Sequence, residues 1–156
     1  VGSEMCIRDR TITLMNVERL DFTNGVLGFD IDGNAGQAYR LYQAALGRAP
    51  DAAGLGYWIG DLDQGVGDLV WLAGNFLHSQ EFIQRFGDPN LKNDLTLLDL
   101  FYDIAFNRAP DQSGLNYWMT QLNSGMSRER VLASFSESSE NQQNLADAME
   151  AGIWFV

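Results

Sequence analysis

The sequence predicts a mainly α fold, a two-copy helical repeat with about four helices per copy, preceded by a short β-hairpin segment. Three observations carry that prediction. The apolar pattern changes from alternation to a helical period near Asn34. The stretch Leu41–Gly65 matches Phe101–Gly125 at an offset of 60. Helix-starting and helix-stopping residues fall at the same places in both stretches.

The matched residues pair Tyr42 with Tyr102, Ala45 with Ala105, and Arg48-Ala49-Pro50-Asp51 with Arg108-Ala109-Pro110-Asp111. They continue with Gly54-Leu55 and Gly114-Leu115, Tyr57-Trp58 and Tyr117-Trp118, Leu62 and Leu122, Gly65 and Gly125. After a one-residue shift, Phe76, Ser79 and Glu81 match Phe135, Ser138 and Glu140.

Residues 11–33 form the β segment. Thr11–Leu14 alternates polar and apolar, and Val17–Phe22 does so loosely. Asn24-Gly25 then supplies the pair that best accepts the positive φ angles of a primed hairpin turn. Two or three short strands are expected, ending near Asp32-Gly33. Residues 34–156 form the helical repeat, copy one about 35–88 and copy two about 94–150.

Within each copy, helix one covers about Gly36–Leu46 or Asp94–Phe106. It stops before Arg-Ala-Pro-Asp, because proline disfavours the helical conformation of the residue before it. Helix two starts at Pro50-Asp51 or Pro110-Asp111, with proline in the first turn and aspartate at the positive end of the dipole. Its stripe is Leu55, Trp58, Ile59 and Leu62, or Leu115, Trp118, Met119 and Leu122. Gly65 and Gly125 end it. Helix three covers about Asp68–Leu77 or Ser127–Phe135. Ser79 and Ser138 cap a fourth helix, the last one running to about Ala151.

Residues 1–10, Val-Gly-Ser-Glu-Met-Cys-Ile-Arg-Asp-Arg, read as the in-frame translation of a transposon-type sequencing adapter. On that reading they are set aside, and the natural N-terminus lies outside the chain. The one cysteine, Cys6, belongs to that segment, so the remainder holds neither a disulfide nor a thiolate metal site. The charges of Glu4, Arg8, Asp9 and Arg10 cancel, which leaves the net −11 with the remainder. Such a surface is a poor partner for nucleic acid, whose affinity comes from cations on phosphates. Anionic lipid is disfavoured for the same reason. No apolar run approaches the ~20 residues of a membrane span, so no membrane insertion is expected.

Most of the repeated motif reads as scaffold. Pro50, Asp51, Pro110 and Asp111 start helices, and Gly54 and Gly114 admit another backbone. Trp58 and Trp118 fill the core, while Arg48 and Arg108 hold the turn by bonding helix-end carbonyls or the nearby aspartate. An element duplicated at one internal position serves the repeated fold first. Tyr57 and Tyr117 are the candidate ligand-stacking rings. Asp30 and Asp32 are the calcium candidates, but an EF-hand needs a glutamate at its twelfth position, where Leu41 stands. A polar turn and N-cap is the preferred reading there. The lone histidine, His78, sits at a helix end in a capping role. No catalytic residue and no cofactor is assigned. The apolar end Gly152–Val156 reads as a tail folded on the bundle, or as part of a secretion signal.

The pattern Leu-Tyr-Gln-x-x-Leu-Gly-Arg-Ala-Pro-Asp-x-x-Gly-Leu-x-Tyr-Trp, with Phe135–Asn141, resembles the bacterial family of domains of unknown function numbered four-two-one-four, over about residues 35–150. His78 and Gln80 depart from it. Val17–Phe22 and Phe29–Gly33 more weakly resemble the end of a hemolysin-type (RTX-like) calcium-binding β region. The resemblance implies a secreted or surface protein exported by type I secretion, often calcium-associated, with a helical fold similar to phycobilisome linker domains. The expected function is therefore a non-catalytic structural or interaction module of a secreted multidomain protein. Its partners would be the parent's upstream domains, a surface polysaccharide or another protein. The alternatives are a carbohydrate-binding module using exposed aromatics, and a cryptic hydrolase with paired carboxylates.

Overall fold

The computed structural model describes residues 3–7, 10–15 and 17–156. Four strands come first: β1 (Ser3–Ile7), β2 (Arg10–Leu14), β3 (Arg19–Phe22) and β4 (Gly25–Gly28). Eight helices follow. Copy one holds α1 (Asn34–Leu46), α2 (Ala52–Asp63), α3 (Leu69–Leu77) and α4 (Gln80–Phe86). A short 3-10 turn, Pro89–Leu91, leads into copy two: α5 (Asp94–Phe106), α6 (Gln112–Asn123), α7 (Arg128–Ser136) and α8 (Ser139–Met149). The chain closes with β5 (Ile153–Phe155).

The helix boundaries follow from local chemistry. Asp51, Asp68, Ser79, Asn93, Asp111, Ser127 and Ser138 each accept a hydrogen bond from a backbone N–H in the first turn of the helix they open. Each such cap contributes about 1 kcal/mol. Helix α1 has Gly33 at its cap position, and Asp30 supplies the missing oxygen by accepting from Ala35 N at 3.2 Å. Gly47 ends α1 in the left-handed conformation, and Asn107 does the same for α5 at φ 52°. Asparagine is among the few side chains that tolerate that region.

One expectation about helix two needs correcting. Pro50 and Pro110 stand one residue before the capping aspartates, outside the helix rather than in its first turn. Placing a fixed φ there orders the approach to the cap instead. Gly65 and Gly125 lie beyond the C-caps at φ 68° and 94°, as stop signals should.

The core is built where equivalent helices meet: α1 packs on α5, and α3 on α7. Leu41, Leu72, Phe101, Leu98 and Leu132 are fully buried there.

The β segment differs from expectation in two respects. The hairpin β3–β4 pairs Phe22 with Gly25, so its two-residue loop is Thr23-Asn24 rather than Asn24-Gly25. Asn24 keeps a negative φ. Gly25 is required for another reason: a Cβ there would meet Trp154 Cζ2 at 2.5 Å and Phe155 O at 2.7 Å. The third strand of that sheet is β5, antiparallel to β4, with Val26 opposite Phe155 and Gly28 opposite Ile153. The tail therefore folds back as an edge strand. β1 and β2 form a separate two-stranded ladder. Of the segment read as adapter, residues 1, 2, 8 and 9 lie outside the described residues. Among the described residues, no helix is long and apolar enough to cross a membrane.

Candidate functional site

The repeated motif builds the same station twice. In copy one, Trp58 tilts against Phe76 with ring centroids 5.6 Å apart, and Tyr42 meets Phe76 edge-on at 4.6 Å. In copy two, Trp118 lies 5.1 Å from Phe135, and Tyr102 lies edge-on to Phe135 at 5.0 Å. Equivalent tryptophans thus have equivalent neighbours. Both are half-buried and pack on the rim of the core rather than in its centre. An indole so placed buries its ring body while leaving one edge near water.

Arg48 and Arg108 do more than hold the turn. Arg48 donates from Nε and Nη2 to the two carboxylate oxygens of Glu81 at 2.7 and 2.8 Å. Arg108 makes the same fork on Glu140 at 2.9 and 2.8 Å. Each also donates to a carbonyl of the turn, Ala49 O or Ala109 O, rather than to a helix-end carbonyl, with Asp51 or Asp111 3.8 Å from its Nη1. The guanidinium lies over Tyr42 at 5.2 Å and over Tyr102 at 5.1 Å. One side chain therefore ties the end of helix one, the turn and the fourth helix together. Glu81 and Glu140 were visible as a repeated pair, but their role depends on a fold-back of about thirty residues that no local signal encodes.

Gly54 and Gly114 serve a side chain rather than a backbone. A Cβ on Gly54 would stand 2.5 Å from the Tyr42 hydroxyl, and one on Gly114 would run into that of Tyr102. Burial raises both phenols above their usual value, aided by Asp51 and Asp111 respectively.

These bridges give the fold an acid-sensitive element. The Arg48 fork holds the Glu81 carboxyl below its ordinary value near 4.5, and the Arg108 fork does the same for Glu140. A carboxyl lowered in the folded state stabilises it at pH above the ordinary value and loses that contribution as pH falls through the lowered value. Both pairs are substantially exposed, so Arg48→Ala and Arg108→Ala should each cost about 1 kcal/mol. Urea unfolding at pH 7 and pH 3 checks this. The Glu81→Gln/Glu140→Gln variant should show a flatter acid limb; an acid limb parallel to that of the parent would refute the assignment.

The two copies are not interchangeable. Arg40, 2% exposed, donates from Nε and Nη2 to Glu137 at 2.8 and 2.5 Å, and from Nη1 to Ile31 O at 2.7 Å. Copy two has Leu100 at the Arg40 position, and copy one has His78 at the Glu137 position. The pair therefore exists once and joins the copies. His78 is the C-cap residue of α3, and its Nε2 lies 3.7 Å from Glu129 of α7. Asn141 is fully buried where copy one has Phe82, and it donates to Ser136 O at 2.8 Å. Sequence patterns missed Arg40 because a lone arginine on an amphipathic helix reads as surface.

Asp30 receives Arg19 on both oxygens, from Nε at 3.2 Å and Nη2 at 2.8 Å, besides capping α1. Arg19 also binds Asp63. Burial pushes the Asp63 carboxyl up, but Arg19 and Asn34 outweigh it and hold the group low. Asp32 is exposed. Asp30 is thus engaged by a guanidinium, the competitor of any cation. Among the described residues, no three or more His, Cys, Asp or Glu side chains converge as a metal would need.

Tyr57 and Tyr117 point outward, 62% and 55% exposed. Each meets its tryptophan edge-on at 4.9 Å. Trp71, 37% exposed, extends the copy-one cluster at 6.0 Å from Trp58; Arg130 occupies its position in copy two.

The same unit thus occurs twice, with the same aromatic, arginine and glutamate partners. A family model described as a domain of unknown function, DUF4214, matches residues 34–86 and 73–145. The chain belongs to the DUF4214 family. The two matches share residues 73–86, so the family unit in copy two begins inside α3 of copy one. No curated protein and no solved structure matches the chain. In this DUF4214 chain, each matched span contains one set of the residues that clamp helix one, helix two and helix four together.

Proposed function

We propose that this DUF4214 chain is a non-catalytic structural and interaction module of a secreted multidomain protein. One observation carries the reading: the charged and phenolic residues that the two copies share, Arg48, Glu81 and Tyr42 with their equivalents, are used to join helices. Arg48, Glu81, Tyr42, Gly54 and Asp51, with their partners in copy two, are engaged with one another. A duplicated catalytic site would instead leave polar groups converging on open space. Upstream domains of the parent protein, a surface polysaccharide or another protein are the partners proposed. Export by type I secretion and an RTX-like parent remain part of this proposal, resting on the resemblance of residues 17–33.

Incubation with chromogenic glycoside, ester and peptide substrates tests the non-catalytic reading. No turnover is expected. Turnover that disappears when a single carboxylate is replaced by its amide would overturn it. The exposure of Tyr57 and Tyr117 favours a more specific second reading, carbohydrate binding.

A further inference from the structure

The outer face of α6 is polar, as a solvated helix face should be, but it carries no charge. Its twelve residues, QSGLNYWMTQLN, include no charge, in a chain with a net charge of −11. A solvated helix face ordinarily carries charged residues. At helical spacing, Gln112, Ser113, Asn116, Tyr117, Thr120 and Gln121 line one half of the cylinder, opposite Leu115, Trp118, Met119 and Leu122.

The equivalent arc in copy one shows what that face does when it is covered. Ala52, Gly56 and Gly60 replace Gln112, Asn116 and Thr120. A Cβ on Gly56 would collide with the Val156 carbonyl, and Val156 N donates to Ala52 O at 3.1 Å. Ala52 and Gly56 of α2 seat the end of the chain at Val156. Copy two has abandoned that seat, yet has filled it with amides and hydroxyls rather than ions.

Resting on the reading of an interaction module, we propose that the outer face of α6 binds an uncharged polysaccharide. Tyr117 is the stacking ring, held edge-on by Trp118 at 4.9 Å. Gln112 Nε2 donates to Asn116 Oδ1 at 3.0 Å, which orders both amides and leaves the Asn116 amide hydrogens pointing away from that bond. Amide donors and acceptors around an exposed ring complement the hydroxyls and apolar face of a neutral pyranose. A charge-free row offers nothing to a carboxylated or sulfated glycan, which the net charge of −11 repels.

Affinity electrophoresis through gels containing dextran, laminarin, galactomannan or alginate tests the proposal, with reducing ends assayed in parallel. The expected result is retardation by at least one neutral polysaccharide and none by alginate. That retardation should disappear in Tyr117→Ala and in Asn116→Ala and persist in Tyr57→Ala. Retardation by none of the neutral gels, retardation by alginate, or equal loss in Tyr57→Ala overturns the proposal. Release of reducing ends overturns instead the non-catalytic reading beneath it. Circular dichroism shows whether each variant retains the parent fold; Asn116→Gln, which keeps an amide, should retain part of the retardation.

Discussion

Arg40→Ala is expected to lower the free energy of unfolding by about 2–4 kcal/mol. Breaking a buried ion pair by removing one partner usually costs ~3–5 kcal/mol, because the other charge is left without compensation. The lower estimate applies here because Glu137 retains 26% exposure and water reaches it. The substitution also strips a donor from Ile31 O, a carbonyl pressed against Gly36 so closely that a Cβ on Gly36 would overlap it. Urea denaturation at pH 7 measures the effect, and a loss below about 1 kcal/mol would show that Arg40 is not the tie between the copies. Arg40→Leu/Glu137→Gln should be less damaging than Arg40→Ala, since it removes both charges and refills the volume.

Phe155→Ala is the second large effect, with an expected loss of about 3–5 kcal/mol. Phe155 is 6% exposed, opposite Val26 in the sheet, with the Arg19 guanidinium 5.6 Å above its ring. Removing the ring leaves a cavity between the sheet and the helices and loosens the strand seated on α2. Trp154 points the other way along the same strand, is 39% exposed, and touches Phe22 at 5.7 Å. With more than a third of its surface in water, its replacement by alanine should cost about 2 kcal/mol, less than that of Phe155. The alternation of large and small losses at 153, 154 and 155 is therefore the signature to measure by thermal unfolding. Similar losses at Trp154 and Phe155 would mean that the strand does not pair as described. The tail thus acts as a structural strand.

Local signals were legible wherever the physics acts within one helical turn. Asp51, Ser79, Asp111 and Ser138 cap the helices they were expected to cap, and Gly65 and Gly125 end helix two, because a cap or a left-handed residue needs only its immediate neighbours. The Asn24-Gly25 reading failed for the opposite reason. Gly25 is dictated by Trp154 and Phe155, residues at the far end of the chain.

The repeat itself, the mainly helical class and the equivalence of the two aromatic stations were determined by the sequence alone, since each copy carries its own caps, stripe and stop. Only the tertiary structure decided how the copies differ. Arg40 and Glu137 are 97 residues apart, and the strand at Ile153–Phe155 chooses α2 over α6 because Gly56 leaves room where Asn116 does not. Such pairings depend on which surfaces meet after the helices have formed, and periodicity within a helix carries no record of its partner.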